Sequence, residues 1–157
     1  MRILIFSDTH GDIKDPEAVI NNIVGVEAVI HCGDCLRDAE ILRDKFPKIK
    51  FYSVSGNCDI DRTSEELMLE LGGKRIFVTH GHRYAVKIEK EFDYPTVTKK
   101  GKDMGADAVL FGHTHIAYNN NKGDIIVMNP GSIKSMATYG VIEIENGVMK
   151  SAIMSLV

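Results

Sequence analysis

The chain has 157 residues, 44% of them hydrophobic and 26% charged, which is an ordinary globular composition and excludes a disordered or low-complexity protein. Its formal net charge of -3 lacks the basic balance that generic nucleic-acid binding requires. The length suits one core, so a single domain over residues 1–157 is expected.

The N-terminal apolar run, Ile3 to Phe6, is too short for a secretory h-region or a membrane span, so a cytoplasmic protein with no membrane partner is expected. Residues 2–7 read instead as a strand, apolar throughout and hence buried on both faces. A polar turn, Asp8-Thr9-His10-Gly11-Asp12, follows. Asp15 as N-cap and Pro16 at the first helical position then predict a helix. Residues 28–31 form a second apolar strand that runs into Cys32-Gly33-Asp34. A helix over 38–46 closes at Pro47, and a third strand, 50–54, ends in Ser55-Gly56-Asn57-Cys58-Asp59. This strand–helix alternation is the pattern of a parallel α/β sheet, whose strand ends deliver ligand-binding loops.

The second half changes character. Residues 67–71 and 75–79 flank Gly72-Gly73, a hairpin signal. Residues 84–91 and 96–104 read as helices broken near Pro95. A strand over 108–111 ends at Gly112-His113-Thr114-His115. Residues 116–118 and 125–128 flank a polar tip at 119–124, and a hairpin is expected from 139–144 and 148–154 about Glu145-Asn146-Gly147. The expected architecture is α/β: two packed sheets, one mixed and one more antiparallel, with helices outside.

The three cysteines, Cys32, Cys35 and Cys58, are an odd number and argue against a disulfide framework. Cys32-Gly33-Asp34-Cys35 lacks the second pair a zinc site needs and fits a redox motif poorly. Histidines are more informative. Of six, His10, His80, His82, His113 and His115 sit at or beyond predicted strand ends in Gly- or Asp-rich loops, whereas His31 lies inside a strand and reads as a core or supporting residue.

Any one of these histidines alone is best explained as a solvated loop residue. Five strand ends carrying Asp8-x-His10, Gly33-Asp34, Gly56-Asn57, His80-Gly81-His82 and Gly112-His113-x-His115 are not. Carboxylate, imidazole and a neutral amide oxygen together suit borderline divalent ions such as Mn, Ni, Fe or Zn. A carboxylate can bridge two cations, and the neighbouring glycines allow sharp turns. If the segments are extended, the i and i+2 residues of Asp8-Thr9-His10 and of His113-Thr114-His115 project to one side.

Taken in order, these five motifs resemble those of the calcineurin-like metallophosphoesterases. Gly56-Asn57-Cys58-Asp59 and Thr79-His80-Gly81-His82 resemble the small YfcE-type phosphodiesterase branch. The resemblance runs from Met1 to about Ser132. It implies a four-layer α/β/β/α sandwich of two mixed sheets flanked by helices. It implies two divalent ions, Mn or Ni first, with Fe or Zn as alternatives. Asp8, His10 and His115 would hold the first, Asn57, His80 and His113 the second, and Asp34 would bridge them. The implied activity is hydrolysis of a small phosphodiester by a hydroxide held between the metals.

The resemblance also leaves a gap. The wider family commonly has His where this chain has Cys58, and that His is thought to assist the leaving group. A thiol is a weaker donor, so His82 becomes the substitute to consider, with second-sphere support as its competing role; Asp59 is expected to orient the loop or a ligand ring. Asn129-Pro130-Gly131-Ser132 resembles a segment near the site in this branch, either as a structural turn or as a phosphate contact. Two other functions fit the same motifs: a catalytically weak protein-binding scaffold of the retromer-subunit type, and a phosphomonoesterase or dinucleotide-polyphosphate hydrolase. A homodimer through the C-terminal strands is a further possibility.

Overall fold

The computed structural model describes residues 1–61, 64–89, 93–121 and 123–156. β1 (Arg2–Phe6), β2 (Val26–His31) and β3 (Lys50–Ser53) pair in parallel. They are joined through α1 (Lys14–Asn22) and α2 (Leu36–Lys45). The second sheet is built from β4 (Glu66–Leu71), β5 (Lys74–Thr79), β6 (Ala108–Leu110), β7 (Tyr118–Asn120) and β8 (Ile126–Asn129). Its connections carry α3 (Val86–Glu89) and α4 (Pro95–Asp103). After α5 (Ile133–Met136), the chain returns as the hairpin of β9 (Thr138–Glu145) and β10 (Val148–Ser155). The strand orders are β10-β9-β1-β2-β3 and β4-β5-β6-β8-β7.

Both sheets are mixed. The second is no more antiparallel than the first, because β5, β6 and β8 run parallel as neighbours between antiparallel edges. The terminal hairpin joins the first sheet, where β9 lies antiparallel to β1.

The apolar strands are explained by burial on two faces. Ile3 and Ile5 of β1 point between the sheets with Ala28, Ile30, Ile76, Val78, Leu110 and Met128. Leu4 and Phe6 point outward, under Val19 and Ile20 of α1, Leu42 of α2 and Ile133 of α5. On the other side Phe77, Val109 and Val127 pack under Val86 of α3 and Val97 of α4. The result is helices, sheet, sheet, helices, with an apolar layer at the centre.

Local boundaries differ from expectation where hydrogen bonding, not propensity, decided them. α1 starts at Lys14, so Asp15 is helical and is not the N-cap. Asp12 does the capping: its Oδ1 accepts from the amides of Lys14 at 3.0 Å and Asp15 at 3.4 Å. β7 begins two residues later than expected and takes in Asn119 and Asn120. The helix expected over 84–91 is the single turn Val86–Glu89, with residues 90 and 91 outside the described set. Among the described residues, no helix is long and apolar enough to cross a membrane.

Candidate metal centre

The two parallel runs, β1-β2-β3 and β5-β6-β8, end at one edge of the sandwich and bring their loops together there. Hydrogen bonds knit these loops beyond the strands. Asp8 N donates to Gly33 O at 3.0 Å, Val54 N to His31 O at 3.1 Å, and Gly112 N to His80 O at 3.1 Å. Bonds also cross between the sheets, among them His113 N to Asp8 Oδ2 at 3.1 Å and Ser132 Oγ to Asp8 O at 2.9 Å. Asn129 anchors the last loop, donating from Nδ2 to Gly112 O at 2.8 Å and Thr114 Oγ1 at 2.9 Å. Asn129 and Ser132 are both fully buried, so Asn129-Pro130-Gly131-Ser132 serves here as a frame for the ligand loops.

The paired residues do not project by strand alternation. Asp8, His10, Asp34, His113 and His115 all take positive φ, between 44° and 69°. The segments are therefore turned, not extended, and side chains meet because alternate residues adopt the left-handed region. That region is sparsely populated by non-glycine residues, and such clusters mark functional sites. Close approach adds a second constraint. A Cβ on Gly112 would lie 2.8 Å from Asp8 Oδ2 and closer to Ser7 Oγ. The loop after β6 can lie on Asp8 only because position 112 has no side chain.

Asp8 and Asp34 are buried, while His10 and His115 are partly exposed at the mouth. Together these four place one ligand atom each within 4.8 Å of one another. His115 Nε2 lies 3.1 Å from Asp8 Oδ1 and 3.4 Å from His10 Nε2, and His10 Nε2 lies 3.8 Å from Asp34 Oδ2. Asp8 Oδ2 is held by the Ser7 hydroxyl at 2.6 Å and by His113 N. Asp8 Oδ1 is buried with no hydrogen-bond partner among the described residues. A buried carboxylate oxygen left in that state is costly unless a cation meets it. The donor set and the orphaned oxygen fit a divalent ion.

The other face of Asp34 looks toward different residues. Its Oδ1 lies 3.4 Å from His80 Nε2 and accepts from Cys58 N at 3.0 Å. His80 donates from Nδ1 to Cys32 O at 2.8 Å, which aims Nε2 inward, 3.1 Å from Asn57 Oδ1. The His113 ring sits 5.0 Å from that of His80. Burial, reinforced by the neighbouring His80, pushes His113 down to about 4. Burial works against the charged forms of Asp34 and His80, yet their mutual hydrogen bond prevails. The Asp34 carboxyl is held well below the usual range and His80 is raised.

The three residues expected to assist chemistry separate. His82 lies on the His80 side, with ring centroids 5.6 Å from His80 and 6.1 Å from His113, and Glu65 Oε1 is 3.9 Å from its Nε2. Cys58 is exposed beside the centre; burial of its thiol and the adjacent Asp34 push it up to about 11. Asp59 orients the loop, its two oxygens accepting Leu36 N and Gly56 N at 2.8 Å each. His31 is buried and held low, about 4, chiefly by burial. Its Nδ1 accepts from Gly33 N at 3.2 Å and its Nε2 faces Thr9 Oγ1 at 3.2 Å. Ser7, Thr9 and Asp38 carry no ligand signal in the sequence, yet their buried polar side chains tie down the first loop. Asp38 was legible only as a helix start.

A four-layer sandwich whose parallel strand ends gather buried carboxylates and histidines defines a metal-binding protein of the phosphoesterase type. The chain belongs to the calcineurin-like phosphoesterase superfamily, whose domain profile matches residues 1–147. It is 32% identical over 154 residues to the probable metallophosphoesterase YsnB of Bacillus subtilis, covering 93% of this chain and 86% of that protein. Phosphodiesterase YfcE of Escherichia coli is 25% identical over 176 residues, covering 91% and 88%. Among solved structures, a predicted phosphoesterase of Streptococcus pneumoniae superposes with a TM-score of 0.78 at 31% identity, covering 98% of this chain and 88% of that one. Vps29 of Entamoeba histolytica shares the fold, with a TM-score of 0.76 at 18% identity over 98% of both chains.

Proposed function

We propose that the protein is a phosphodiesterase working at a dinuclear metal centre. Asp8, His10 and His115 would hold one ion, Asn57, His80 and His113 the other, and Asp34 would contribute to both. The observation that carries this reading is the division of Asp34, whose Oδ2 faces His10 and whose Oδ1 faces His80. One carboxylate shared between two ligand groups is the arrangement that offsets repulsion between two cations.

Bound there, two divalent ions would supply Lewis acidity toward the phosphoryl oxygens and a nucleophile drawn from water near neutral pH. The chain's own part is preorganisation. Ser7 and His113 N fix Asp8 so that Oδ1 remains for a cation. Cys32 O fixes the His80 tautomer, and Asp59 fixes the turn that offers Asn57. A ligand set held in this way needs little reorganisation when charge develops on the substrate.

Leaving-group assistance is weak. A thiol such as Cys58 is a weak hydrogen-bond donor, and His82 lies beside the His80–His113 pair near Glu65. Diesters with acidic leaving alcohols are therefore the favoured substrates. The names of relatives at 25% identity, among them YfcE and an archaeal phosphodiesterase of known structure, support diester over monoester.

The test is a hydrolysis assay on a nitrophenyl diester and the matching monoester, using metal-stripped protein refilled with Mn, Ni, Mg or Zn. Restoration by Mn or Ni with diester preference is the expected result. Full activity in excess chelator excludes the dinuclear mechanism. Two bound ions without turnover of either ester would instead favour a scaffold role on this fold.

A further inference from the structure

Asp38 lies on α2, outside the proposed ligand set, and is only 6% exposed. Its Oδ2 accepts from Thr9 Oγ1 at 2.6 Å and from Gly11 N at 2.8 Å. Those two residues flank His10 on either side. Among the described residues Asp38 makes no ion pair, so its charge is met there by a hydroxyl and an amide. Thr9 is polarised from behind as well. His31 Nδ1 accepts from Gly33 N, which puts the His31 proton on Nε2, facing Thr9 Oγ1. The Thr9 hydroxyl thus accepts from His31 and donates to Asp38.

This chain of side chains has work to do, because Asp8 at φ 53° and His10 at φ 44° hold conformations that non-glycine residues avoid. Such a turn persists only where its surroundings over-determine it. Lys134 Nζ secures the His10 carbonyl at 2.6 Å from an exposed position and buried Ser132 holds the Asp8 carbonyl, so Asp38 is the buried anchor of the residues on either side of His10. A charge-assisted bond is the stronger kind, and two of them converge on one oxygen. Asp38 also adds a third buried carboxylate behind Asp8 and Asp34, an arrangement that cations in front of it would relieve.

We infer that Asp38 is a positioning residue for the ion held by Asp8, His10 and His115: through Thr9 and Gly11 it locks the turn that presents two of those three side chains. The inference rests on the dinuclear reading and adds to it a residue that touches neither ion.

The experiment is a calorimetric Mn titration of the metal-stripped full chain, wild type against Asp38→Asn. The binding event that His115→Ala removes marks the first site. Groups that orient metal ligands typically change affinity by about 10–100-fold, so Asp38→Asn is expected to weaken the first event by about that factor and leave the second within about twofold. Placed on a His10→Ala background, the same substitution is expected to cost less than in wild type, since only its effect through Asp8 remains. Thr9→Val, which removes the hydroxyl and keeps the charge, is expected to reproduce part of the loss and serves alone if Asp38→Asn does not fold by circular dichroism. Equal weakening of both events, or none, overturns the inference while wild type still binds two ions. A wild type that binds no Mn overturns the dinuclear reading and this inference together.

Discussion

Replacing Gly56 by Ala is a one-carbon perturbation aimed at the proposed bridge. Gly56 has no positive φ, so backbone conformation does not forbid the change. Space does. The new Cβ would lie 2.5 Å from Asp34 N and nearer to Asp34 Oδ1. Non-bonded heavy atoms settle at about 3.5–4.0 Å, so at least about 1 Å must be found by moving one loop off the other. Neither partner moves freely, because Asp34 Oδ1 is held by Cys58 N and Gly56 N by Asp59 Oδ2. Displacement would carry Asn57 and Cys58 away from Asp34 and His80. A 1 Å misplacement in an active site can cost about 10²-fold in rate, while the strain costs about 1–3 kcal/mol in stability. The assay is kcat/KM on a nitrophenyl diester with saturating Mn, alongside the melting temperature and bound metal. Gly123→Ala is the control, since a Cβ there meets nothing within 4 Å and needs no positive φ. A Gly56→Ala enzyme within twofold of wild type in kcat/KM and metal content would refute the claim that the two loops must touch.

Three other outcomes are expected. Asp34→Ala should lower bound metal at both sites while His115→Ala lowers it at one, so wild-type stoichiometry in Asp34→Ala by elemental analysis would rule out bridging. His31, pushed down to about 4 from its ordinary 6.5, makes the unfolded chain bind the extra proton between those values, so its contribution to stability is complete above pH 6.5 and is lost as pH falls toward 4. The loss amounts to about 3 kcal/mol at 1.36 kcal/mol per pH unit, and denaturant melts of wild type and His31→Gln at pH 7.5 and 5 should show a shallower fall in the variant. Cys58→Ala should keep most turnover of the nitrophenyl diester, and Cys58→His should gain on poorer leaving groups by up to the 10²–10⁴-fold that general acids typically supply, if the ring reaches the leaving oxygen; loss of turnover in Cys58→Ala with both ions bound would make the thiol a participant.

What the residues determine by themselves is local. Ile3 to Phe6 read as a doubly buried strand because neither face offers a polar position, and the structure buries all four. Gly72-Gly73 and Asn146-Gly147 read as hairpin turns because two successive positive φ values are needed, and both pairs adopt them. The clustering of Asp, Asn and His behind glycines pointed to metal chemistry because few other uses need those side chains at so many strand ends. Tertiary structure decided the rest. Nothing local says that the hairpin of β9 and β10 lies beside β1, since pairing partners are chosen across more than a hundred residues by which apolar faces remain to be covered. Asp12 rather than Asp15 caps α1, because the turn after β1 places its carboxylate over the first amides. Asp38, Asn129 and Ser132 look like ordinary helix and turn residues in the chain. They become the frame of the site only when folding brings them against Thr9, Gly112 and Asp8, because a buried polar side chain takes its role from the partner it meets.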